Sequence, residues 1–339
     1  MGVMSRETAG ALIEAAFAAA DEHGTVSFAF QGGEPTVAGL DFFRDFVAMV
    51  SAFRPLDRQV SYALQTNGMA LNEEWTHFLK ENQFLVGLSV DGYRELHDHY
   101  RVDTKGEGTY GRVAKALALL QKFEVETNLL CVVTGQCAKH PQKTYASMKK
   151  LGVRYLQFIP CLDPLEEQRG RAVYSLTPKL YGDFLCGLFD QWYRDWAEGH
   201  YTSVRLFDDY VHLAMGEPAS TCAASGGCGS YFVVEADGGV YPCDFYVLDR
   251  WRMGDVHTDS LKQLANDETA SEFLRQGRLR PSRCASCRWV PLCNGGCRRD
   301  WTGGADDTEN YYCESFRRFF EYAADRIGEI AWQERRSRM

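Results

Sequence analysis

Eight cysteines lie between Cys222 and Cys313 with the spacing C-x5-C-x14-C-x40-C-x2-C-x5-C-x3-C-x15-C, and no other feature limits the folds open to this chain so sharply. Thiols so crowded are either cross-linked or ligated. Eight divide into two sets of four, the ligand count of both a [4Fe–4S] cluster and a structural zinc. Zinc sites usually show paired C-x2-C knuckles, and Cys284/Cys287 is the one such pair here. The x5 and x3 gaps suit a larger cluster, so the spacing favours iron–sulfur over zinc, with disulfides last. The compartment points the same way. Residues 9–20 are apolar, but Glu14 interrupts them and Arg6 and Glu7 precede them, which is no export signal. They read as an amphipathic helix capped by Ser5, with Leu12, Ala16, Phe17 and Ala20 on one face. Arg6 stands where myristoylation needs Ser or Thr, and no stretch approaches the ~18 apolar residues of a membrane span. A cytoplasmic location is the expectation, and there thiols stay reduced.

Upstream of the cysteines, strand and helix patterns alternate. Strands are expected at 25–31, 59–66, 84–90, 124–133 and 153–159, with helices at 40–52, 72–81, 110–123 and 142–151. Such alternation gives right-handed βαβ units and a parallel sheet, hence an α/β fold. Five strands are too few for a full eight-fold barrel, so a partial barrel is expected over 1–173. A helical connector follows at 174–219, opened by Thr177-Pro178 as N-cap and N1, its aromatics Tyr181, Phe184, Phe189, Trp192 and Tyr193 assigned to core. The Cys-rich domain is 220–313, and a C-terminal helix lies within 314–339. A content of 45% apolar and 24% charged residues excludes disorder, and the net charge of −9 speaks against a sequence-independent grip on nucleic acid.

Chemistry in parallel α/β folds collects at the carboxyl ends of strands, where this sequence places polar turns bearing glycine. Gly32 and Gly33 would let backbone approach a ligand closely and Glu34 would add charge, although a plain strand-to-helix turn uses the same residues. Asp244 follows Cys243 directly, which puts a carboxylate beside a metal centre or else caps a turn. Gln65, at a strand end, is a candidate contact for a substrate peptide.

Several of these segments together carry a resemblance. The run from Cys284 to Cys313, with Gly295-Gly296-Cys297-Arg298 inside it, resembles the SPASM domain of radical S-adenosylmethionine (SAM) maturases. Gln31-Gly32-Gly33-Glu34-Pro35-Thr36 resembles the GGEP motif by which those enzymes bind SAM. More narrowly, Phe28-Ala29-Phe30-Gln31, Cys161-Leu162-Asp163-Pro164 and Tyr241-Pro242-Cys243-Asp244-Phe245-Tyr246 resemble the anaerobic sulfatase-maturating enzymes, over essentially the whole chain. The resemblance implies a (β/α)6 radical SAM barrel followed by a SPASM domain with two auxiliary [4Fe–4S] clusters. Cys222, Cys228, Cys243 and Cys297 would hold the first, and Cys284, Cys287, Cys293 and Cys313 the second. It places SAM contacts at Gly32, Gly33, Glu34, Ser89, Arg101 and Leu162, with Ser89 at a ribose hydroxyl and Arg101 at the carboxylate, and makes Asp244 the general base. The implied reaction oxidises a Cys or Ser of a sulfatase polypeptide to Cα-formylglycine through a 5′-deoxyadenosyl radical. A reduced donor such as ferredoxin or flavodoxin would serve it, with no nucleic-acid or membrane partner.

One element of that family is missing. Radical SAM enzymes hold the SAM-cleaving cluster on a C-x3-C-x2-C loop after the first barrel strand, and the 339 residues contain no such spacing. Cys131, Cys137, Cys161 and Cys186, with gaps of x5, x23 and x24, read as small buried hydrophobes. Together with the strand count, this leads to the expectation of an N-terminally truncated barrel lacking its first strand and cluster loop. The radical SAM cluster is expected only in a longer protein, and this chain by itself is expected not to cleave SAM. Two other readings are kept: another SPASM maturase forming thioether or carbon–carbon links, and a non-catalytic metal-binding scaffold that binds peptides.

Overall fold

Six strands form one sheet in chain order: β1 (Thr25–Phe30), β2 (Gln59–Thr66), β3 (Phe84–Ser89), β4 (Thr127–Val133), β5 (Tyr155–Pro160) and β6 (Ser203–Val204). The pairs β1–β2, β4–β5 and β5–β6 are parallel. These elements come from a computed structural model, which describes residues 2–165, 167–229, 231–303 and 308–338. The helices accompanying the sheet are α1 (Arg6–Ala19), α2 (Leu40–Phe53), α3 (Glu73–Glu81), α4 (Arg94–Tyr100), α5 (Tyr110–Lys122), α6 (Pro141–Lys149), α7 (Pro178–Ala197) and α8 (Arg205–Ala214).

Where the sequence shows five strands, the structure has six. The sixth, β6, is two residues long and lies inside the segment read as a mainly helical connector, too short to carry a period. It forms because β5 offers Tyr155 and Leu156 as partners for Ser203 and Val204. The strand expected from 124 starts at Thr127 instead, since Glu124 is left-handed (φ 52°) and Val125 N–H closes the end of α5 on the Leu120 carbonyl. The seven-residue α4, rich in His and charge, gave no apolar period to detect.

The chain divides into two compact units. The first comprises Met1–Gly87, Ala116–Glu126 and Gly227–Leu279. In it Ser5 caps α1 by accepting from Thr8 N–H at 3.0 Å. One side of α1 buries Ala9, Ile13 and Phe17 against Val26 and Phe28 of β1 and Phe46 and Val50 of α2. Each such large side chain contributes about 1.5–3 kcal/mol of burial. Another side, with Ala11, Ala15 and Ala19, meets a second cluster built on Val240, Met253, Leu261 and Leu264. Leu12 and Ala16 border both clusters, so the helix is apolar over more of its circumference than a one-faced stripe. The unit also contains a small antiparallel sheet, β7 (Val233–Val234), β8 (Gly239–Tyr241) and β9 (Gly254–Asp255).

The second unit comprises Leu88–Lys115, Thr127–Gly226 and Arg280–Met339. Its core is the expected aromatic stripe of α7: Phe184, Phe189 and Trp192 are at most 1% exposed. Phe189 meets Phe207 of α8 at 5.2 Å and Phe319 at 5.6 Å. Thr177 caps α7 and Pro178 occupies its first turn. After α9 (Cys222–Ser225) of this unit come α10 (Leu261–Leu264) and α11 (Glu268–Arg278) of the first unit. The second unit then continues with α12 (Val290–Cys293), the β10 (Trp301–Thr302) and β11 (Glu309–Asn310) hairpin, and α13 (Cys313–Ser337). Among the described residues no helix is long and apolar enough to cross a membrane.

Candidate functional site

In the first unit the turn after β1 is left-handed at Gly32 (φ 86°) and Gly33 (φ 53°). A Cβ built on either glycine would meet nothing within 4 Å, so the turn faces open space that side chains would obstruct. Glu34 does different work from that read in the sequence. Its Oε1 accepts from Thr36 N–H (3.1 Å), Thr36 Oγ1 (2.6 Å) and Thr66 Oγ1 (2.7 Å), and its Oε2 from Asn67 N–H (2.7 Å). The carboxylate is spent on the chain itself and ties the end of β1 to the end of β2. Glu34→Ala strands these donors and is expected to cost about 1–3 kcal/mol, read as a lower urea midpoint. Gln65, half-buried, is the penultimate residue of β2.

Asp244 opens a short 3-10 turn just after β8 and Cys243. Its Oδ1 accepts from the Tyr231 hydroxyl at 2.6 Å and its Oδ2 from Gln31 Nε2 at 3.2 Å. Cys243 Sγ lies 3.5 Å from the same Oδ1, and Tyr231 Oη is 3.8 Å from that sulfur. The strand-end loop after β1 and the Cys-rich segment therefore meet at this carboxylate. Tyr231, which sequence reasoning missed, is the second brace, and burial followed by the Asp244 hydrogen bond holds its phenol far above the ordinary range. Burial pushes the Cys243 thiol up to about 11. Cys228 and Cys243 border one aromatic cluster, Tyr246, Trp251 and Phe273. Gly277 leaves room there, since a Cβ on it would stand 2.7 Å from Cys228 Sγ.

In the second unit Ser89 ends β3, half-buried, and Leu162 follows β5, half-buried beside buried Asp163. Arg101 is the C-terminal cap of α4. Its Nε and Nη2 pair with Asp91 at 2.6 and 3.4 Å.

The second expected cysteine set surrounds a cavity of about 410 Å³, lined by Cys284, Cys287, Cys293 and Cys313 with Trp289, Phe316 and Phe320 among its walls. Three successive left-handed residues, Asn294, Gly295 and Gly296, turn the chain after Cys293. Cys297, only four positions on, is not part of the lining, and its sulfur accepts from Arg299 N–H at 3.3 Å. The donor set fits a polynuclear cluster. All four cysteines line this one cavity, matching the ligand count of a [4Fe–4S] cluster. Burial raises the Cys284 and Cys313 thiols and pushes Cys293 to about 12, a penalty that bound iron offsets by stabilising thiolates.

Cys222 heads α9, whose approach is fixed by Asp209 of α8. That carboxylate, 1% exposed, accepts from Ser220 N–H at 2.6 Å and from Thr221 Oγ1 at 2.5 Å. Nothing in the sequence distinguishes Asp209 from an ordinary helix aspartate. Asp209→Ala is expected to destabilise by about 1–3 kcal/mol and to lower bound iron, measured per chain after anaerobic reconstitution. Of the scattered cysteines, Cys131 and Cys137 are fully buried, while Cys161 and Cys186 are half-buried. Contact with Cys137, then burial, holds the Cys131 thiol well above its usual value; burial takes Cys161 and Cys186 to about 11.

Residues 4–148 match the Radical SAM superfamily, and residues 226–288 match SPASM, an iron-sulfur cluster-binding domain. The cysteine-type anaerobic sulfatase-maturating enzyme of Clostridium perfringens (strain 13 / Type A) is 43% identical over 332 residues, covering 97% of this chain and 89% of that protein. This chain belongs to the anaerobic sulfatase-maturating enzymes. A serine-type anaerobic sulfatase-maturating enzyme, from Bacteroides thetaiotaomicron, is 30% identical over 317 residues, 88% of this chain and 76% of that protein. In structure, this sulfatase-maturating chain resembles native anSMEcpe with bound AdoMet and Kp18Cys peptide, with a TM-score of 0.95 and 43% identity over 98% of this chain and 92% of that one. It is thus an oxidoreductase of the radical SAM class, with SAM and auxiliary iron–sulfur clusters as its cofactors.

Proposed function

We propose that this chain is the peptide-oxidising body of a maturase that converts a Cys or Ser of a sulfatase to Cα-formylglycine in the cytoplasm, fed by a reduced donor such as ferredoxin or flavodoxin. The observation carrying this reading is the 43% identity to a cysteine-type enzyme along 97% of the chain. Its lead over the 30% identity to a serine-type enzyme favours a Cys substrate. When bound, SAM and its cluster supply the radical that removes a Cβ hydrogen, and the auxiliary clusters accept the second electron.

The chain's own residues have the remaining roles. Gly32 and Gly33 admit SAM to the strand-end face, with Ser89 at the ribose, Arg101 at the carboxylate and Leu162 beside it, while Glu34 holds the loop. Cys222, Cys228, Cys243 and Cys297 hold one auxiliary cluster, and Cys284, Cys287, Cys293 and Cys313 the other. Residues 220–313 thereby form the SPASM domain. Asp244 is the general base, and Gln65 contacts the peptide. Both Asp244 oxygens are already engaged, and the bond to Gln31 is the longer at 3.2 Å. A substrate thiol enters by displacing it. Passing the thiol proton to Asp244, with loss of one Cβ hydrogen atom and one electron, leaves a thioaldehyde that water converts to the aldehyde and hydrogen sulfide.

These 339 residues contain no C-x3-C-x2-C, so this polypeptide alone does not cleave SAM in our reading. The test is the chain joined at its N-terminus to a segment bearing that loop and incubated with a Cys-x-Pro-x-Arg peptide. Loss of two hydrogens together with exchange of sulfur for oxygen in the mass spectrum supports formylglycine. Loss of two hydrogens alone would point instead to a cross-linking maturase.

A further inference from the structure

Asp91, His97, Arg101 and Thr109 close a ring of hydrogen bonds inside the second unit. Asp91 N–H donates to His97 Nδ1 at 3.2 Å, so Nδ1 is an acceptor and the imidazole proton sits on Nε2. Nε2 then donates to Thr109 Oγ1 at 3.0 Å, and that hydroxyl donates to the Arg101 carbonyl at 2.9 Å. The Arg101 carbonyl also accepts from Thr109 N–H, and Arg101 N–H donates to the His97 carbonyl at 2.8 Å. The Arg101 guanidinium returns to Asp91, whose Oδ1 is itself fixed by Val132 N–H of β4 at 2.9 Å. His97 is fully buried, and it joins the Asp91 backbone to the loop that follows α4.

We infer that His97, in its neutral Nε2–H form, is a positioning residue that fixes Arg101 for the SAM carboxylate. This rests on the reading of Arg101 as the residue that meets that carboxylate. With backbone and side chain both pinned, the guanidinium is presented in one orientation, and its ordering entropy is already spent before SAM arrives. The groups facing the imidazole are Asp91, Asp98, Arg101 and, edge-on at 5.6 Å, Tyr110. Burial lowers the His97 pKa despite the two carboxylates, which keeps the ring neutral at pH 7. Protonation at lower pH would put a proton on Nδ1 against Asp91 N–H and open the circuit.

The experiment is calorimetric titration with SAM of the cluster-loaded chain joined at its N-terminus to a segment bearing C-x3-C-x2-C, for wild type, Arg101→Ala, His97→Ala, the double variant and His97→Gln. Arg101→Ala and His97→Ala are each expected to weaken SAM binding about tenfold or more, the scale of losing one hydrogen bond to a charged group. The double variant should bind no more weakly than Arg101→Ala alone, because His97 acts only through that arginine. His97→Gln should restore binding, since an amide oxygen can accept from Asp91 and its nitrogen donate to Thr109. Lowering the pH should weaken wild type but not His97→Gln. Unchanged binding in His97→Ala, or losses that simply add in the double variant, overturns the inference while leaving the Arg101 reading standing. Unchanged binding in Arg101→Ala, or a wild type that binds no SAM, overturns both. Independently of SAM, nitrogen NMR of the His97 ring should show Nδ1 unprotonated and Nε2 protonated; the opposite tautomer overturns the inference by itself.

Discussion

A protein consisting of these 339 residues, reconstituted with iron and sulfide and given SAM and a strong reductant, is expected to release no 5′-deoxyadenosine above background. Reductive cleavage needs a cluster with one iron open to SAM, hence three clustered thiolates with the fourth position unfilled. The four cysteines outside the Cys-rich segment cannot supply them. Cys131 lies in β4, Cys137 is six positions on, both are 0% exposed, and Cys161 and Cys186 are separated by x24. The eight others make two complete sets of four in our assignment. Liquid chromatography of the quenched reaction checks this, and product well above the enzyme-free control would overturn it. Joined to a segment bearing C-x3-C-x2-C, the same chain should form 5′-deoxyadenosine. In that context Asp244→Asn should lower formylglycine by about 10²-fold or more while iron content stays unchanged, the scale of losing a positioned general base. A normal rate in that variant would remove Asp244 from the mechanism.

How much of this was legible in the sequence depended on whether a residue's role was local. The Gly32-Gly33 turn, the cap of α7 at Thr177 and the cysteine spacing are set by neighbours along the chain, and each was readable before any coordinates. The aromatic stripe of α7 was readable because its period of 3.6 belongs to the helix itself. Roles created by tertiary contact were not. Glu34 looks like a ligand-facing charge until Thr66 and Asn67, more than thirty residues on, are found bonded to it. Tyr231 lies 13 residues from Asp244, and Gln31 lies 213 away. The strand β6 was invisible because two residues carry no periodicity, and its existence depends on the free edge of β5. His97 shows the limit most sharply: its environment is made by Asp91 and Thr109 at ordinary loop positions, and only the folded chain closes their ring.

Iron analysis tests the cysteine-rich half of the molecule without any catalysis. Two [4Fe–4S] clusters correspond to about eight iron atoms per chain, with about as much sulfide. Cys293→Ala, which removes one of the four thiols around the 410 Å³ cavity, should leave about four iron atoms. The remaining iron would belong to the set that excludes this cavity, because Cys297 lies outside its lining. With its cluster gone, the cavity between α12 and α13 loses the centre that joins Cys284, Cys287 and Cys313, so limited proteolysis should cut faster within 280–313. Cys131→Ala is the matched control. It truncates a cysteine that is fully buried in β4 and should cost about 1 kcal/mol of stability, leaving the iron count unchanged. About two zinc ions per chain instead of iron, or an unchanged iron count in Cys293→Ala, would overturn the assignment of this cavity, since a tetrahedral ion needs its thiolates gathered on a point and not spread around a void.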